Sequence, residues 1–181
     1  MEKIISCFIN YLPKWTAAQF VLFGLVCIAF YVLLIVVSKK KNYNAFKVTL
    51  VFLLAVYLIL VYSSAVFSRD IVNTSSEGRV LLPFWSYKLP MKFYPKQMAK
   101  EIIMNVLMLM PIGMVFNIIL TKKSFALTVM SGFLCSLSIE LLQLLMHRGF
   151  FEFDDLMHNT LGTAIGWLLM FSVTKIRSKK V

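Results

Sequence analysis

Three polar side chains recur at helical spacing within the apolar segment SIELLQLLMHR. Glu140, Gln143 and His147 stand at positions i, i+3 and i+7, so we expect them on one face of a helix whose other faces are apolar. An ionisable side chain within a membrane is costly, and a carboxylate there either becomes neutral or binds a cation. We therefore interpret Glu140 and Gln143 as binding residues. A structural ion pair of Glu140 with Arg148 or Arg69 is the alternative.

A second polar group lies in the following segment, HRGFFEFDDLMHNTLGTAIGWLL. Asp154 and Asp155 stand where the next helix is expected to begin, and one acid there suits the positive end of the helix dipole. Two adjacent acids exceed what a cap needs. Asp155 and Asn159 lie on one helical stripe. That stripe continues into a GxxxG motif at Gly162 and Gly166, which allows close contact with another helix.

A third apolar segment carries Asn105 near one end, with Pro111 and Gly113 near its middle. Pro111 cannot donate a backbone hydrogen bond to the Leu107 carbonyl, so it predicts a kink. Gly113 predicts close approach of a neighbouring backbone. We interpret both residues as packing features. Asn105 either bonds to a neighbouring helix or belongs to the same polar site as the acids.

These side chains must be positioned by helices that lie in a membrane. The chain has 181 residues, of which 60% are hydrophobic and 15% are charged, whereas globular domains carry about 45–50% apolar and about 25% charged residues. A soluble fold of this size has too little interior for so many apolar side chains. The sequence therefore predicts an all-α bundle of transmembrane helices, forming a single membrane domain over residues 1–181.

Five apolar stretches approach the roughly 20 residues that an α-helix needs to cross the hydrocarbon core of a bilayer. They are residues 17–37, 46–67, 102–120, 124–146 and 156–173. Residues 68–101 form the one sizeable loop, whose prolines and aromatic side chains suit the membrane surface. Residues 4–15 have apolar side chains at near-helical spacing, which leaves an interfacial helix and disorder as the two expectations there.

Lysine and arginine are distributed unevenly between the two sides that five spans define. One side has basic residues and no acid: Lys39, Lys40, Lys41, Lys47, Lys122, Lys123, Lys175, Arg177, Lys179 and Lys180. The positive-inside rule places this side in the cytoplasm, so we predict an N-terminus outside and a cytoplasmic C-terminus. The net charge of +11 is explained by this topology. We therefore predict no nucleic-acid partner.

With this topology the polar residues converge at one membrane depth, in the outer third of the last three spans. The candidate binding residues are Asn105, Glu140, Gln143, Arg148, Asp154, Asp155 and Asn159. His147 and Glu152 are expected at the same depth. The three cysteines form no CxxC pair, so we predict no metal site, and the sequence identifies no cofactor.

Three segments carry a family resemblance. NVLMLMPIG at 105–113, ELLQ at 140–143 and RGFFEFDDLMHNTLGTAIG at 148–166 resemble the VanZ-like family of membrane proteins, and RVLLPF at 79–84 matches more loosely. The chain departs from the family pattern where Glu152 replaces an expected aspartate and where no asparagine precedes the proline of RVLLPF. The resemblance implies a multi-pass protein of the bacterial cytoplasmic membrane that is associated with glycopeptide and teicoplanin resistance.

Our first functional hypothesis is a binding or shielding protein of the cell envelope. The polar cluster would engage a lipid-linked cell-wall precursor, the headgroup of a membrane lipid, or the glycopeptide drug. Arg148 or Arg69 would pair with a phosphate. The carboxylates would take an amine or a divalent cation.

An enzyme that modifies a lipid or cell-wall precursor at the outer leaflet is the second hypothesis. Paired carboxylates and a histidine can supply acid–base catalysis, and a zinc ion held by His147, His158 and the acids is its metal-dependent form. However, the sequence has no HExxH, no GxSxG and no nucleophile beside a base, which argues against catalysis. A transporter is third, and it would require a homodimer through the Gly162 and Gly166 face.

Overall fold

The computed structural model describes residues 13–71, 80–120 and 124–178. These residues fall into two compact units, one within Met1–Ser68 and the other within Arg69–Val181. The single membrane domain stays a prediction. The interfacial helix or disorder expected at residues 4–15 falls almost entirely outside the described residues.

The first unit contains two long helices. Helix α1 spans Ala17–Lys40, and helix α2 spans Ala45–Tyr62 and continues into a π-helical turn at Ser63–Phe67. Thr16 begins α1 because its hydroxyl accepts a hydrogen bond from the Gln19 backbone while the Gln19 side chain accepts from the Thr16 backbone. This reciprocal arrangement satisfies two backbone donors that a helix start would leave unpaired.

A polar contact and an aromatic contact join the two helices of this unit. The hydroxyls of Tyr31 and Thr49 lie 3.0 Å apart, and the Tyr31 ring packs 4.9 Å from that of Phe52. Most of the large apolar side chains along α1 are exposed. In water this exposure would be unfavourable, whereas lipid solvates the same surface at little cost.

The second unit carries the candidate site, and its described residues form four helices and two short strands. Its elements are β1 (Val80–Leu81), α3 (Leu89–Phe93), α4 (Pro95–Ile119), α5 (Phe125–Leu145), β2 (Phe151–Glu152) and α6 (Phe153–Ser178). The strands pair in parallel, with Val80 opposite Phe151 and Leu81 opposite Glu152. This pairing fixes the loop before α3 against the segment that enters α6.

The five predicted spans are confirmed by five helices of sufficient length and apolar character. These are Ala17–Lys40, Ala45–Phe67, Pro95–Ile119, Phe125–Leu145 and Phe153–Ile176. Helix α4 begins at Pro95 rather than at 102, because a polar turn precedes the apolar part and proline suits the first turn of a helix. The predicted loop 68–101 therefore includes β1, α3 and the start of α4. The orientation of the termini stays a prediction.

Glycines allow α6 to pack directly on the backbone of α4. A methyl group at Gly162 would overlap the Val106 carbonyl, and one at Gly166 would overlap the Met110 carbonyl. A methyl group at Gly113 would likewise overlap the α6 backbone. The close contact predicted from the GxxxG motif is therefore confirmed, with α4 of the same chain as the partner. A homodimer stays a prediction, and it would require a surface other than this glycine face.

Candidate functional site

Glu140 lies in the last turns of α5 and is buried by the strand that precedes α6. Its side chain is 1% exposed, and its Oε2 atom accepts a hydrogen bond of 3.0 Å from the Glu152 backbone nitrogen. Gln143 is also buried, one turn later on the same face. A methyl group at Gly149 would lie 3.3 Å from Gln143 Oε1 and 3.2 Å from Arg69 Nη1. Glycine at this position thus lets the chain pass between Gln143 and Arg69.

Asn105 and Asp155 join α4 to α6. The Asn105 Nδ2 atom donates to Asp155 Oδ1 over 2.5 Å, and both side chains are half-buried. The hydrogen bond confirms that Asn105 contacts a neighbouring helix, which was one of its two expected roles. Because the partner is a carboxylate of the polar stripe, the same contact also brings Asn105 into the site.

Asp154, the neighbour of Asp155, faces a different segment. Its Oδ1 atom accepts from the Phe84 backbone nitrogen at 2.5 Å, and its Oδ2 atom accepts from the Ser86 backbone nitrogen at 2.7 Å. Phe84 has a φ of 63°, in the left-handed region that residues other than glycine rarely adopt. Asp154 therefore holds the loop between β1 and α3 in an otherwise unfavourable conformation.

The same loop is attached to α6 at a second point. The Tyr87 hydroxyl lies 2.6 Å from His158 Nε2, and the two rings pack with centroids 5.8 Å apart. His158 stands one turn after Asp154 on α6, so both residues face the loop. His158 is therefore a loop-packing residue in this fold.

Asn159 lies between α4 and α5, one turn further along the stripe from Asp155. Its Nδ2 atom donates to Ser136 Oγ on α5 over 2.9 Å. One turn later, the Thr163 hydroxyl donates to the Leu109 carbonyl on α4 over 3.1 Å. The stripe predicted from sequence is thus the face by which α6 contacts both neighbouring helices.

Arg148 and Arg69 lie at the edge of the site. Arg148 Nη1 donates to the Arg69 backbone oxygen, which ties the turn after α5 to the segment that begins this unit. Arg69 is exposed, and its guanidinium attracts the carboxylates of Glu140, Glu152 and Asp155. The structural ion pair of Glu140 with Arg148 or Arg69 stays a prediction.

His147 does not share the helical face of Glu140 and Gln143, so that prediction was wrong. Helix α5 ends at Leu145, and His147 is an exposed turn residue with a φ of 53°. His147 and Arg148, followed by Gly149, are typical of a helix end, so the spacing from Glu140 and Gln143 extended the helix too far.

Four carboxylates interact electrostatically at this end of the unit, and we call them the carboxylate cluster: Glu101, Glu140, Glu152 and Asp155. Burial raises the pKa of Glu152, and repulsion by Glu101 and Asp154 raises it further, while Arg69 lowers it. The net shift is upward, so burial and the neighbouring acids together outweigh the attraction of Arg69.

A family model described as VanZ/LLP1 matches residues 46–174. The chain belongs to the VanZ/LLP1 family. This confirms the resemblance found in the sequence, and the family is associated with teicoplanin resistance. Comparisons with curated proteins and with solved structures found no match. The matched region contains every candidate binding residue, and with its five apolar helices this VanZ/LLP1 protein is a multi-pass membrane protein.

The described part of this VanZ/LLP1 protein contains no group of side chains that could hold the zinc ion of the metal-dependent alternative. Among residues 13–71, 80–120 and 124–178, no three histidine, cysteine, aspartate or glutamate side chains lie where they could hold a metal ion. Of its two histidines, His158 contacts Tyr87, and His147 is on the exposed turn.

The sequence interpretation missed the loop residues that this VanZ/LLP1 protein places against α6. Phe84, Ser86 and Tyr87 all contact Asp154 or His158. A signal was present, because Asp154 and His158 are one turn apart and so predict a shared partner. That partner could not be chosen from sequence, since it comes from a loop about 70 residues earlier.

Proposed function

We propose that this protein acts in the bacterial cytoplasmic membrane by binding the headgroup of a lipid-linked cell-wall precursor or membrane lipid. Binding at the carboxylate cluster would shield the target from teicoplanin and so contribute to resistance. The observation that supports this most is the position of half-buried Glu152 and Asp155 where α6 begins. Carboxylates at the end of a membrane helix stand at headgroup depth and are still partly accessible.

The loop beside the cluster also favours a ligand at the membrane surface. Phe84, Trp85 and Tyr87 are exposed, and aromatic side chains favour the boundary between lipid and water. Arg69 is exposed at the same end and can pair with a phosphate of the headgroup. With the predicted orientation, this end faces the outer leaflet. The drug itself is a further candidate ligand at the same position.

The test is teicoplanin susceptibility of cells that express Asp155→Asn or Glu140→Gln. Each change removes one charge and preserves side-chain shape, so we expect susceptibility to return to the level of cells without the protein. Asp70→Asn is the matched control, because Asp70 is an exposed acid outside the cluster. Immunoblots of membranes must show equal abundance. Unchanged resistance in both cluster variants would contradict the proposal.

Catalysis is a second candidate function, favoured by the raised pKa of Glu152. A carboxyl group whose pKa is raised by burial keeps its proton at higher pH and can act as a general acid. Mass spectrometry of lipid-linked precursors and phospholipids separates the two functions. A covalently changed lipid that appears only in cells expressing the wild-type protein supports catalysis. Unchanged lipid masses in resistant cells support binding.

A further inference from the structure

The carboxylate cluster has more hydrogen-bond acceptors than donors. Each carboxylate offers two acceptor oxygens and no donor. Donors among the described residues include the Glu152 N–H to Glu140 Oε2, the Asn105 amide to Asp155 Oδ1 and the Gln97 amide to Glu101 Oε1. The guanidinium that attracts these carboxylates, Arg69, is exposed at the edge. A ligand that fits this environment must therefore bring N–H donors and positive charge.

Asn159 gives an independent indication that a donor is missing. Its side chain is 1% exposed, and its Oδ1 atom has no hydrogen-bond partner within the described part of the chain. Asp155 lies one turn before Asn159 on α6, and helical side chains lean toward the start of their helix, so the Asn159 side chain leans toward Asp155. On α5, Glu140 lies one turn from Ser136, which is the hydrogen-bond partner of Asn159. The unpaired oxygen thus lies one turn deeper than both carboxylates. A buried acceptor without a donor costs free energy, which a bound donor would recover.

We propose that the site binds a primary ammonium group, which donates N–H bonds to Asp155, Glu140 and the Oδ1 atom of Asn159. This rests on the proposed function and names the chemical group that the cluster recognises. A primary ammonium supplies three donors and one positive charge, which are the two features that the cluster lacks. A quaternary ammonium supplies the charge without any donor, so it should bind more weakly.

The arrangement of charges also orients the ligand. A phosphate cannot approach the carboxylates without repulsion, whereas Arg69 at the exposed edge can pair with it. The ammonium therefore enters first, and a phosphate attached to it remains near Arg69. Two sources carry this chemistry: the headgroup of an aminophospholipid, and the free amine of the peptide on a lipid-linked cell-wall precursor.

The first arm of the test compares two phospholipids that differ only in their amine. The full chain is placed in nanodiscs that contain phosphatidylethanolamine or phosphatidylcholine, and native mass spectrometry measures the lipid that remains bound. We expect at least about tenfold preference for phosphatidylethanolamine, the factor given by one net hydrogen bond to a charged group. This comparison uses only the wild-type protein, so it does not depend on whether any variant folds.

Variants then assign the preference to the cluster. Asp155→Asn preserves the shape of the side chain, and Asn159→Leu removes the unpaired oxygen, so we expect each to reduce the preference at least about tenfold. Asn117→Leu is the matched control, because Asn117 is also buried and its Oδ1 atom has no partner among the described residues. It follows Asn105 by twelve residues on α4, about 18 Å away. The control should keep the wild-type preference.

The second arm uses a lipid-linked precursor whose lysine amine is either free or acetylated. Preference for the free amine with no discrimination between phospholipids assigns the precursor as the source, and the reverse result assigns the aminophospholipid. Equal binding in both arms would overturn the ammonium inference. If Asp155→Asn nevertheless abolishes resistance, the proposed function is supported while the ammonium inference is rejected. A preference without any effect on resistance supports ammonium binding and contradicts the proposed function.

Discussion

The two halves of the α4–α6 pair are held together in different ways. In the half that contains the carboxylate cluster, side chains meet across the interface, as Asn105 does with Asp155. Close backbone contacts begin beside Asn105, at Gly162, and continue into the other half at Gly113 and Gly166, where the Asn117 amide also donates to the Trp167 carbonyl. Side-chain contacts place polar atoms in the interface, whereas a close backbone contact leaves no space for a further group. Binding and packing are thus separated along one pair of helices.

The backbone half should be the more sensitive to added volume. Gly113→Ala places a methyl group in the α6 backbone, so one of the two helices must move. We expect a loss of about 3 kcal/mol or more in unfolding free energy, at the upper end of the range for overpacked cores. Equilibrium unfolding of the purified protein in mixed detergent micelles measures this loss of unfolding free energy.

Gly24→Ala is the control for this prediction. A methyl group at Gly24 in α1 meets no heavy atom of the described chain within 4 Å. Alanine is also the better helix former, so the control should be neutral or more stable by about 0.5–1 kcal/mol. Equal losses at Gly113 and Gly24 would show that the comparison between the two halves is wrong.

Within the cluster half, substitutions of the adjacent acids Asp154 and Asp155 should have different effects. Asp154→Ala removes the acceptor for the Phe84 and Ser86 backbone nitrogens, which releases the loop. We expect a loss of about 2 kcal/mol in unfolding free energy, the net value of a hydrogen bond to a charged group. Chymotrypsin should then cleave faster at Phe84 and Tyr87.

Asp155→Asn is the matched comparison for loop release. Its Oδ1 atom can still accept from Asn105, so cleavage of the loop should remain at the wild-type rate. Resistance, by contrast, should be lost under the proposed function. If Asp155→Asn releases the loop as Asp154→Ala does, the two acids do not have separate roles.

This pair also shows what the sequence could and could not predict. Five spans, the stripe from Asp155 to Asn159 and the close contact at Gly162 followed from hydropathy and helical period, which depend only on neighbouring residues. The division of roles between Asp154 and Asp155 depends on a loop about 70 residues away. The helix dipole favours both acids equally, so no local rule separates them.

Helix ends were the other feature beyond sequence reasoning. His147 was placed on a helical face because its spacing from Glu140 and Gln143 fits a helix, yet α5 ends at Leu145. The turn that follows uses a left-handed conformation at a residue other than glycine. Such a conformation is set by tertiary contacts rather than by the residue itself.

The smallest expected effect is a pH dependence that belongs to Glu152. Its pKa in the folded protein lies above the ordinary value of 4.5, because burial and neighbouring acids disfavour its charge. As pH rises above 4.5, the unfolded chain releases this proton first, so the contribution of Glu152 to stability falls until pH passes the raised pKa. Below 4.5 both states are protonated, and the penalty is absent.

Glu152→Gln should therefore have a flatter stability profile than the wild type. The difference in unfolding free energy between the two proteins, measured from about pH 4 to about pH 8, should shift in favour of the variant as pH rises. Asp70→Asn, which changes an exposed acid outside the cluster, should follow the wild-type profile. A wild-type protein that gains stability relative to Glu152→Gln with rising pH would mean that the cluster neutralises Glu152. The net cost of charging Glu152 at this buried position would then be absent.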